Sequence, residues 1–253
     1  MLLENRVIIV TGAASGLGRR YATRLAEEGA KLTIADIADL SKTTSLCEAA
    51  GAEVLPLRVD VSSEEDTLAM ARQTHERFGR IDGLLNNAGI TTRHGLEAKS
   101  LMDVDMGMWG RVFEVNTRGT FLGIRAVYPY MREQGSGTIV NVSSGSTLRI
   151  SRAPDAINAQ YVASKSAITG ITRAVARELG QYNINVVTVA PGNTTSDTEE
   201  PLSAEEAYPE PESSMLRRGV PDDLAGVMAF LFTDDARFIS GQMILVNGGR
   251  EVW

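Results

Sequence analysis

A tyrosine and a lysine four positions apart, Tyr161 and Lys165 in "YVASK", are the clearest candidates for chemistry in this chain. Residues at this spacing in a helix are neighbours, so both polar groups can reach one point. An isolated tyrosine has a pKa of about 10, and an ammonium about 4 Å away in a partly desolvated cleft lowers that pKa toward neutrality. The pair therefore suits a proton donor and its tuning group, although the same spacing also arises by chance on exposed helices.

Two serines follow the apolar run of "TIVNVSS", which is typical of a strand. A serine at the carboxyl end of a strand could bind a substrate carbonyl or alkoxide oxygen, or could equally be a turn residue. A hydrolase-type nucleophile is disfavoured, because the chain has no G-x-S-x-G and its two histidines, His75 and His94, lie in unrelated contexts.

A glycine-rich turn, "TGAASGLG", directly follows the first apolar run. Gly12, Gly16 and Gly18 let the backbone approach a pyrophosphate closely, and the helix that follows supplies N–H donors and partial positive charge. Asp36 ends the second apolar run, where a carboxylate can accept hydrogen bonds from an adenosine ribose and would repel a 2′-phosphate. Neither Ser15 nor Ile37, at the flanking positions, supplies a basic side chain to offset that repulsion. NAD is therefore predicted as cofactor, with a turn-forming aspartate as the structural alternative.

Composition narrows the class of protein. The chain has 253 residues and a net charge of −7, so a nucleic-acid partner is not expected. Cys47 is the single cysteine, which excludes an intrachain disulfide, and no Cys/His cluster indicates a metal. No leader or membrane-spanning run is recognisable, so we expect a cytoplasmic protein without a membrane partner.

Short runs rich in Val, Ile and Leu alternate with amphipathic helical stretches throughout the chain. Such alternation predicts right-handed βαβ units, and strands that are apolar on both faces are typical of a covered parallel sheet. The expected fold is α/β, a Rossmann-like doubly wound parallel sheet of about seven strands forming one domain over residues 1–253. A segment near 193–217, containing the acidic run "DTEEPLSAEEAYPEPE", is a candidate substrate loop with a mobile surface character.

The motifs together resemble the short-chain dehydrogenase/reductase family over essentially the whole chain. Those that carry the resemblance, in order, are "TGAASGLG", "DV", "NNAG", "VN", "NVSS", "YVASK" and "PG". The resemblance implies that Tyr161 is the general acid/base and that Lys165 lowers the tyrosine pKa and holds the nicotinamide ribose. It further implies that Ser144 orients the substrate oxygen and that Asn116 positions a water linking Lys165 to solvent.

The same resemblance implies a set of cofactor contacts beyond Asp36 and the catalytic pair. Asp60 and Val61 would meet the adenine, Asn87 would stabilise the central strand, and the backbone after Pro191 would approach the nicotinamide amide. The remaining implied contacts are Gly12, Ser15, Gly16, Leu17, Gly18, Ala88, Gly89, Gly192 and Thr194.

Three departures from the family pattern leave alternatives open. The loop between Ser144 and Tyr161 is longer than usual, so the serine role could fall to Ser143 or Ser146. The stretch between "NNAG" and Asn116 is also long. Ser196 stands where the family usually has threonine, so the hydroxyl that meets the carboxamide could come from any of residues 194–196.

Six residues are candidates for substrate recognition. Arg149 and Arg152 could pair with an anionic substrate, whereas Met102, Met106, Met108 and Trp109 could face an apolar pocket or the core. By resemblance we expect NAD-dependent interconversion of a cyclic or aromatic secondary alcohol and its ketone. The alternatives are 3-oxoacyl thioester reduction and a non-catalytic dinucleotide-binding sensor or scaffold.

The family resemblance also implies a homotetramer or homodimer. The expected contact elements are the helix of "YVASKSAITGITRAVARELG" and the terminal "ILVNGGREVW", with Trp253 in an interface or over a neighbouring active site.

Overall fold

Seven parallel strands form one sheet in the order β3-β2-β1-β4-β5-β6-β7. The computed structural model describes residues 1–91, 100–148, 158–195 and 208–251. The strands are β1 (Val7–Thr11), β2 (Lys31–Asp36), β3 (Val54–Arg58), β4 (Gly83–Asn86), β5 (Gly137–Val142), β6 (Ile184–Pro191) and β7 (Met243–Val246). The predicted doubly wound parallel sheet is confirmed.

Helices cover both faces of this sheet. They are α1 (Gly16–Glu27), α2 (Ser41–Ala49), α3 (Glu64–Phe78), α4 (Met106–Val112), α5 (Gly119–Gln134), α6 (Ala159–Leu179) and α7 (Pro221–Leu231). Ile8 and Val10 of β1 pack with α1 and α7, whereas Ile9 between them packs with α3 and α5. Successive side chains of a strand point to opposite faces, so a strand covered on both sides buries nearly all of its side chains and is mostly apolar. All five residues of β1 and all eight of β6 are accordingly buried.

The order of the strands reverses beside β1, which pairs with β2 on one side and with β4 on the other. Ile8 is in register with Gly83 and Val10 with Leu85, so the turn that follows Thr11 lies next to the turn that follows Asn86. In open α/β sheets ligands bind at such a switch point, outside the carboxyl ends of the strands.

A π-helical turn, Phe113–Arg118, joins α4 to α5 without a break. Such turns are rare in helices and recur at functional sites. Here the turn carries Asn116, which is completely buried.

A ladder of buried polar side chains ties α6 to the middle of the sheet. Asn86 of β4 donates to Asn141 of β5 over 2.9 Å, and Asn141 donates to the Thr172 hydroxyl of α6 over 2.9 Å. Thr188 of β6 also bonds to Thr172, at 2.7 Å. Polar groups buried to this degree are costly unless they are paired, so the ladder fixes where α6 sits.

The described part of the chain shows neither a membrane-spanning helix nor a metal-binding cluster. No helix there is long and apolar enough to cross a membrane. Within the same residues, no group of three or more His, Cys, Asp or Glu side chains is arranged to hold a metal ion.

Candidate active site

The glycine turn between β1 and α1 is shaped by contacts that leave no room for side chains. Gly12 has a φ of +67°, and a Cβ there would lie 2.7 Å from the Ala88 Cα. A Cβ at Gly18 would lie 1.9 Å from the Gly12 carbonyl oxygen. The first turn of α1 carries no acidic residue, and Ser15 makes no side-chain cap to it. This close-packed turn, with the first N–H groups of a helix beyond it, is suited to an anionic phosphate.

The "NNAG" turn after β4 is hydrogen-bonded to the end of β1 and to the glycine turn. Asn87 donates through its Nδ2 to the carbonyl oxygens of Thr11 and Gly12, at 3.0 and 3.1 Å. The Thr11 hydroxyl in return accepts from the main-chain N–H groups of Asn87 and Ala88, each at 3.1 Å. The two turns therefore form one rigid unit at the switch point. The family resemblance implied that Asn87 stabilises the central strand, but the sequence analysis missed Thr11, whose place as the last residue of β1 was the available signal.

Asp36 lies at the carboxyl end of β2 and is partly exposed. Its Oδ2 accepts from Ala14 N and its Oδ1 from Ala38 N, both at 3.0 Å. The carboxylate thus shapes both the glycine turn and its own turn while remaining accessible. The turn-forming role and the predicted ribose contact are compatible, because a carboxylate has about four acceptor sites.

Arg19 and Thr43 are two contributors to this turn that sequence reasoning missed. Arg19 donates to the Ala14 carbonyl and, through Nε at 3.2 Å, to the Thr43 hydroxyl. Thr43 donates to the Ala13 carbonyl at 2.8 Å. The Arg19 guanidinium is therefore hydrogen-bonded to the same turn as the Asp36 carboxylate. Ser15 and Ile37, the two flanking positions, carry no charge. The position of Arg19 one residue beyond the last glycine was the signal that could have found it.

Lys165 lies inward from Tyr161 on the same helix. Its side chain is nearly completely buried, and its Nζ donates to the Val142 carbonyl over 2.8 Å. The same Nζ is 6.0 Å from the centre of the Tyr161 ring. Burial lowers the pKa of the Lys165 ammonium to about 8, since desolvation disfavours the charged form. A positive charge at neutral pH is therefore held close to the tyrosine.

Asn116 is surrounded by hydrogen bonds to protein groups. Its Oδ1 accepts from Ile90 N at 2.7 Å, and its Nδ2 donates to Ile90 O and to the Ser164 hydroxyl, each at 3.0 Å. Ser164 in turn donates to the Tyr161 carbonyl at 2.8 Å. A Cβ on Gly89 would lie 3.1 Å from Asn116 Oδ1 and 3.3 Å from Lys165 Nζ, so the "NNAG" turn, the π turn and α6 converge here. The Asn116 side chain thus joins three elements, and its implied role in positioning water remains a prediction.

Among the three candidate serines, Ser143 and Ser144 have different partners. Ser143 is buried and its hydroxyl donates to the Lys165 carbonyl at 2.8 Å, which anchors α6 to the end of β5. The Ser144 hydroxyl is partly exposed and accepts from Ser146 N at 3.2 Å and from the Ser146 hydroxyl at 2.9 Å. The geometry favours Ser144, with Ser146 beside it, as the group that can face a ligand.

The turn after β6 carries the remaining predicted cofactor contacts. Gly192 packs so closely on Asn247 that a Cβ would lie 2.7 Å from its Cα. The Thr194 hydroxyl donates to the Gly192 carbonyl at 3.1 Å, and that of Thr195 donates to Gly219 O at 3.2 Å. Thr194 is therefore the described hydroxyl next to the Pro191–Gly192 turn, while Ser196 lies outside the described residues.

The predicted substrate-recognition residues are only partly placed. Arg149, Arg152, Trp253 and most of the acidic run lie outside the described residues. Met102 and Met106 are 88% and 72% exposed, so the interpretation of these two as core residues is wrong. Met102 lies in a short 3₁₀ helix, Leu101–Asp103, and Met106 is the first residue of α4. Both side chains lie on the surface. Trp109 is half-buried and stacks on Phe113 with ring centres 5.6 Å apart.

The fold and this constellation define a dinucleotide-dependent oxidoreductase of the Rossmann type. A family model described as "Enoyl-(Acyl carrier protein) reductase" matches residues 12–251. The chain belongs to the short-chain dehydrogenase/reductase family, whose members are oxidoreductases that use a nicotinamide dinucleotide.

Three curated relatives align over nearly all of the chain. Levodione reductase of Leifsonia aquatica is 38% identical, covering 97% of this chain and 94% of that protein. The (2S)-[(R)-hydroxy(phenyl)methyl]succinyl-CoA dehydrogenase subunit BbsD of Thauera aromatica is 36% identical, covering 100% and 99%. The 3-oxoacyl-[acyl-carrier-protein] reductase FabG of Staphylococcus epidermidis is 35% identical, covering 97% and 98%. The crystal structure of levodione reductase superposes with a TM-score of 0.83 at 35% identity, covering 98% of each chain.

Proposed function

We propose that this protein is an NAD-dependent dehydrogenase that interconverts a secondary alcohol and its ketone. The observation that carries the proposal is the buried Lys165 ammonium on the face of α6 that carries Tyr161, at the point where Gly89 and Asn116 converge. A buried cation beside a tyrosine can lower the pKa of the phenol, and this use accounts for the free energy that burial of the charge costs.

The carboxyl edge of the sheet fits a dinucleotide. The glycine turn and the start of α1 would hold the pyrophosphate, Asp36 the adenosine ribose, and Lys165 the nicotinamide ribose. Contacts implied for Ser15, Leu17, Ala88, Gly89, Pro191, Gly192 and Thr194 belong to the same proposal. When bound, the nicotinamide accepts a hydride from the substrate or returns one.

Proton transfer belongs to Tyr161. In the oxidation direction its phenolate oxygen takes the alcohol proton while the C–H bond of the carbinol carbon breaks with loss of hydride, which leaves a ketone. In reduction the phenol O–H protonates the carbonyl oxygen as hydride arrives at carbon. The Ser144 hydroxyl, with Ser146 next to it, would hold that oxygen. The Lys165 ammonium stabilises the phenolate, since an opposite charge favours the ionised form.

The names of two relatives support a ring-containing substrate. One relative is named for reduction of levodione, and the other for dehydrogenation of a hydroxy(phenyl)methyl group, an alcohol carbon that bears a phenyl ring. We propose a cyclic or aromatic secondary alcohol for this chain on that basis.

A second candidate is reduction of a 3-oxoacyl thioester, because relatives named for this reaction are 35–36% identical over nearly the whole chain. Asp36 argues against it where the donor is NADPH, since its carboxylate would face the 2′-phosphate. The preferred cofactor therefore separates the two candidates.

The test follows the absorbance of the reduced nicotinamide with NAD or NADP supplied separately. The substrate panel contains cyclic and aromatic secondary alcohols and 3-hydroxyacyl thioesters. We expect turnover with NAD on a cyclic or aromatic alcohol, and a loss of about 10²–10⁴-fold in kcat for Tyr161→Phe. NADH binding by Tyr161→Phe, measured by calorimetry, serves as the folding control.

Three results would contradict this assignment in different ways. Turnover restricted to thioesters would favour the second candidate. Undiminished turnover in Tyr161→Phe would remove the tyrosine from proton transfer. Tight NADH binding without turnover across the panel would favour a dinucleotide-binding sensor or scaffold.

A further inference from the structure

The turn between β3 and α3, Asp60 to Ser62, accepts hydrogen bonds from two arginines of the helical segment formed by α4 and the π turn. Arg111 of α4 donates to the Ser62 hydroxyl at 2.8 Å and to Asp60 Oδ2 at 3.3 Å. Arg118 of the π turn donates to the Ser62 carbonyl at 2.9 Å. Both arginines are far from these partners in sequence, so the contacts are tertiary.

Asp60 is constrained at both of its oxygens. Its Oδ1 accepts from the Ser62 main-chain N at 2.9 Å and from the Ser62 hydroxyl at 2.6 Å, while Oδ2 faces Arg111. Partial burial opposes ionisation, but the hydrogen bonds from Ser62 and Arg111 outweigh it and lower the pKa of the Asp60 carboxyl group. The carboxylate is therefore ionised at neutral pH and has a fixed orientation.

The helix and the turn also touch through their backbones. A Cβ on Gly119, the first residue of α5, would lie 3.2 Å from the Val61 carbonyl oxygen and 3.0 Å from a Val61 methyl group. One continuous helical segment thus contacts this turn at Arg111, Arg118 and Gly119. The same segment binds Ser164 of α6 through Asn116.

We propose that Arg111 is a positioning residue for cofactor binding, because it holds the Asp60–Ser62 turn in the conformation that meets the adenine ring. The inference rests on the proposed function, which places Asp60 and Val61 at the adenine. Arg111 itself takes no part in the hydride or proton transfer. Its loss should lower the affinity for the adenosine half of the cofactor and leave the rate of hydride transfer at the nicotinamide unchanged.

Calorimetry with ADP-ribose, which lacks the nicotinamide, measures binding of the adenosine half separately from hydride transfer. We expect Arg111→Ala to bind ADP-ribose and NADH each about tenfold more weakly, the effect typical of losing a charge-assisted hydrogen bond. The kcat at saturating NAD and its pH profile should stay within about twofold of wild type. Arg111→Lys should give an intermediate loss, because one ammonium cannot reproduce the two-point contact of a guanidinium.

Arg125→Ala is the matched control. Arg125 is on α5, the continuation of the same helical segment, and pairs with Glu64 at 2.7 Å on the surface without touching the Asp60–Ser62 turn. This variant should bind ADP-ribose as wild type does. Ser62→Ala provides a second route, since it removes the shared partner of Arg111 and Asp60 and should weaken ADP-ribose in the same way.

The outcomes separate this inference from the proposed function. Wild-type protein that binds ADP-ribose, with Arg111→Ala and Ser62→Ala unchanged, would overturn the positioning role alone. A large fall in kcat at saturating cofactor, with ADP-ribose affinity intact, would also overturn it. Failure of the wild-type protein to bind either ADP-ribose or NADH would defeat the proposed function on which the inference rests.

Discussion

At the scale of single residues, Lys165 is a charged group in an environment that opposes its charge. Its ammonium is nearly completely buried, it donates to one main-chain carbonyl, and its pKa is about 8. An unfolded lysine has a pKa of about 10.4, so the folded state binds this proton less tightly than the unfolded state does. Protonated Lys165 therefore lowers the stability of the fold at neutral pH, and this penalty is removed as the pH rises from about 8 to about 10.4.

Replacing this lysine by a neutral side chain of similar length should separate stability from activity. We expect Lys165→Met to abolish measurable turnover yet to raise the free energy of unfolding at pH 7 by about 2 kcal/mol, after allowance for the lost hydrogen bond. Urea unfolding of both proteins at several pH values measures the effect. The difference should shrink between pH 8 and pH 10, and a variant less stable than wild type at pH 7 would contradict this explanation.

Asp36 should set the choice between the two dinucleotides. Asp36→Asn removes the charge that would repel a 2′-phosphate, and one amide oxygen still accepts a hydrogen bond at the turn. Since a like-charge contact costs about 1–4 kcal/mol depending on the local dielectric, the ratio of kcat/KM for NAD to that for NADP should fall by about fivefold or more. Steady-state kinetics with both cofactors measures the ratio. An unchanged ratio would assign the selectivity to other groups, such as Arg19, which donates to the Ala14 carbonyl of the same turn.

Prediction from sequence succeeded where a single local requirement dictates the residue type, such as space for a close backbone approach, burial in a covered strand or neighbouring positions on a helix. The glycines of the first turn, the apolar strands and the Tyr161–Lys165 spacing each have such a requirement, and each was placed correctly in the fold. It was incomplete where a partner arrives from a distant element. The bonds from Arg111 to Asp60, from Asn116 to Ile90 and from Ser143 to Lys165 depend on how helices cross the sheet, which local patterns do not encode.

At the scale of elements, the site depends on backbone segments that approach each other more closely than side chains allow. The clearest example is α1 against the end of β1, where Gly18 faces the Gly12 carbonyl. A helical glycine without such a neighbour, such as Gly110 of α4, only adds conformational freedom to the unfolded chain.

Two glycine-to-alanine substitutions should therefore have opposite effects. Gly18→Ala would place a Cβ 1.9 Å from the Gly12 carbonyl oxygen, so we expect a lower melting temperature and at least a hundredfold loss of NADH affinity. At Gly110 of α4 nothing lies within 4 Å of an added Cβ, and Gly110→Ala should stabilise the fold by about 0.5–1 kcal/mol. Thermal unfolding and calorimetry test both variants. Normal cofactor affinity in Gly18→Ala would show that the turn is not the pyrophosphate site.

At the scale of the whole molecule, the β7 end of the sheet carries exposed aromatic surface. Phe238, between α7 and β7, is fully exposed, and Phe230 on α7 is 42% exposed. The outer edge of β7 is the end of the sheet. Exposed aromatic side chains are typical of a protein contact, so we propose this region as a contact in the homotetramer or homodimer that the family resemblance implies.

Self-association through this end can be tested with one substitution. Phe238→Asp should shift the protein toward smaller species in sedimentation velocity at micromolar concentration, because a charge would be buried in the contact. Leu46→Ser is the control, since Leu46 on α2 is 44% exposed near the opposite end of the sheet. A monomeric wild-type protein, or a Phe238→Asp variant that associates normally, would contradict the predicted contact.

The strand order also has a consequence for how the chain reaches its native state. β1 pairs on one side with β2 and on the other with β4, in which Gly83 is in register with Ile8, 75 positions earlier in the chain. Because parallel strands have no hairpins, every pairing in this sheet closes a long loop before it gains contacts, and folding in milliseconds to seconds or slower is typical of such non-local topologies. During synthesis β1 cannot complete its pairing until β4 has emerged from the ribosome, so the turn after Thr11 cannot be joined to the turn after Asn86 before that point.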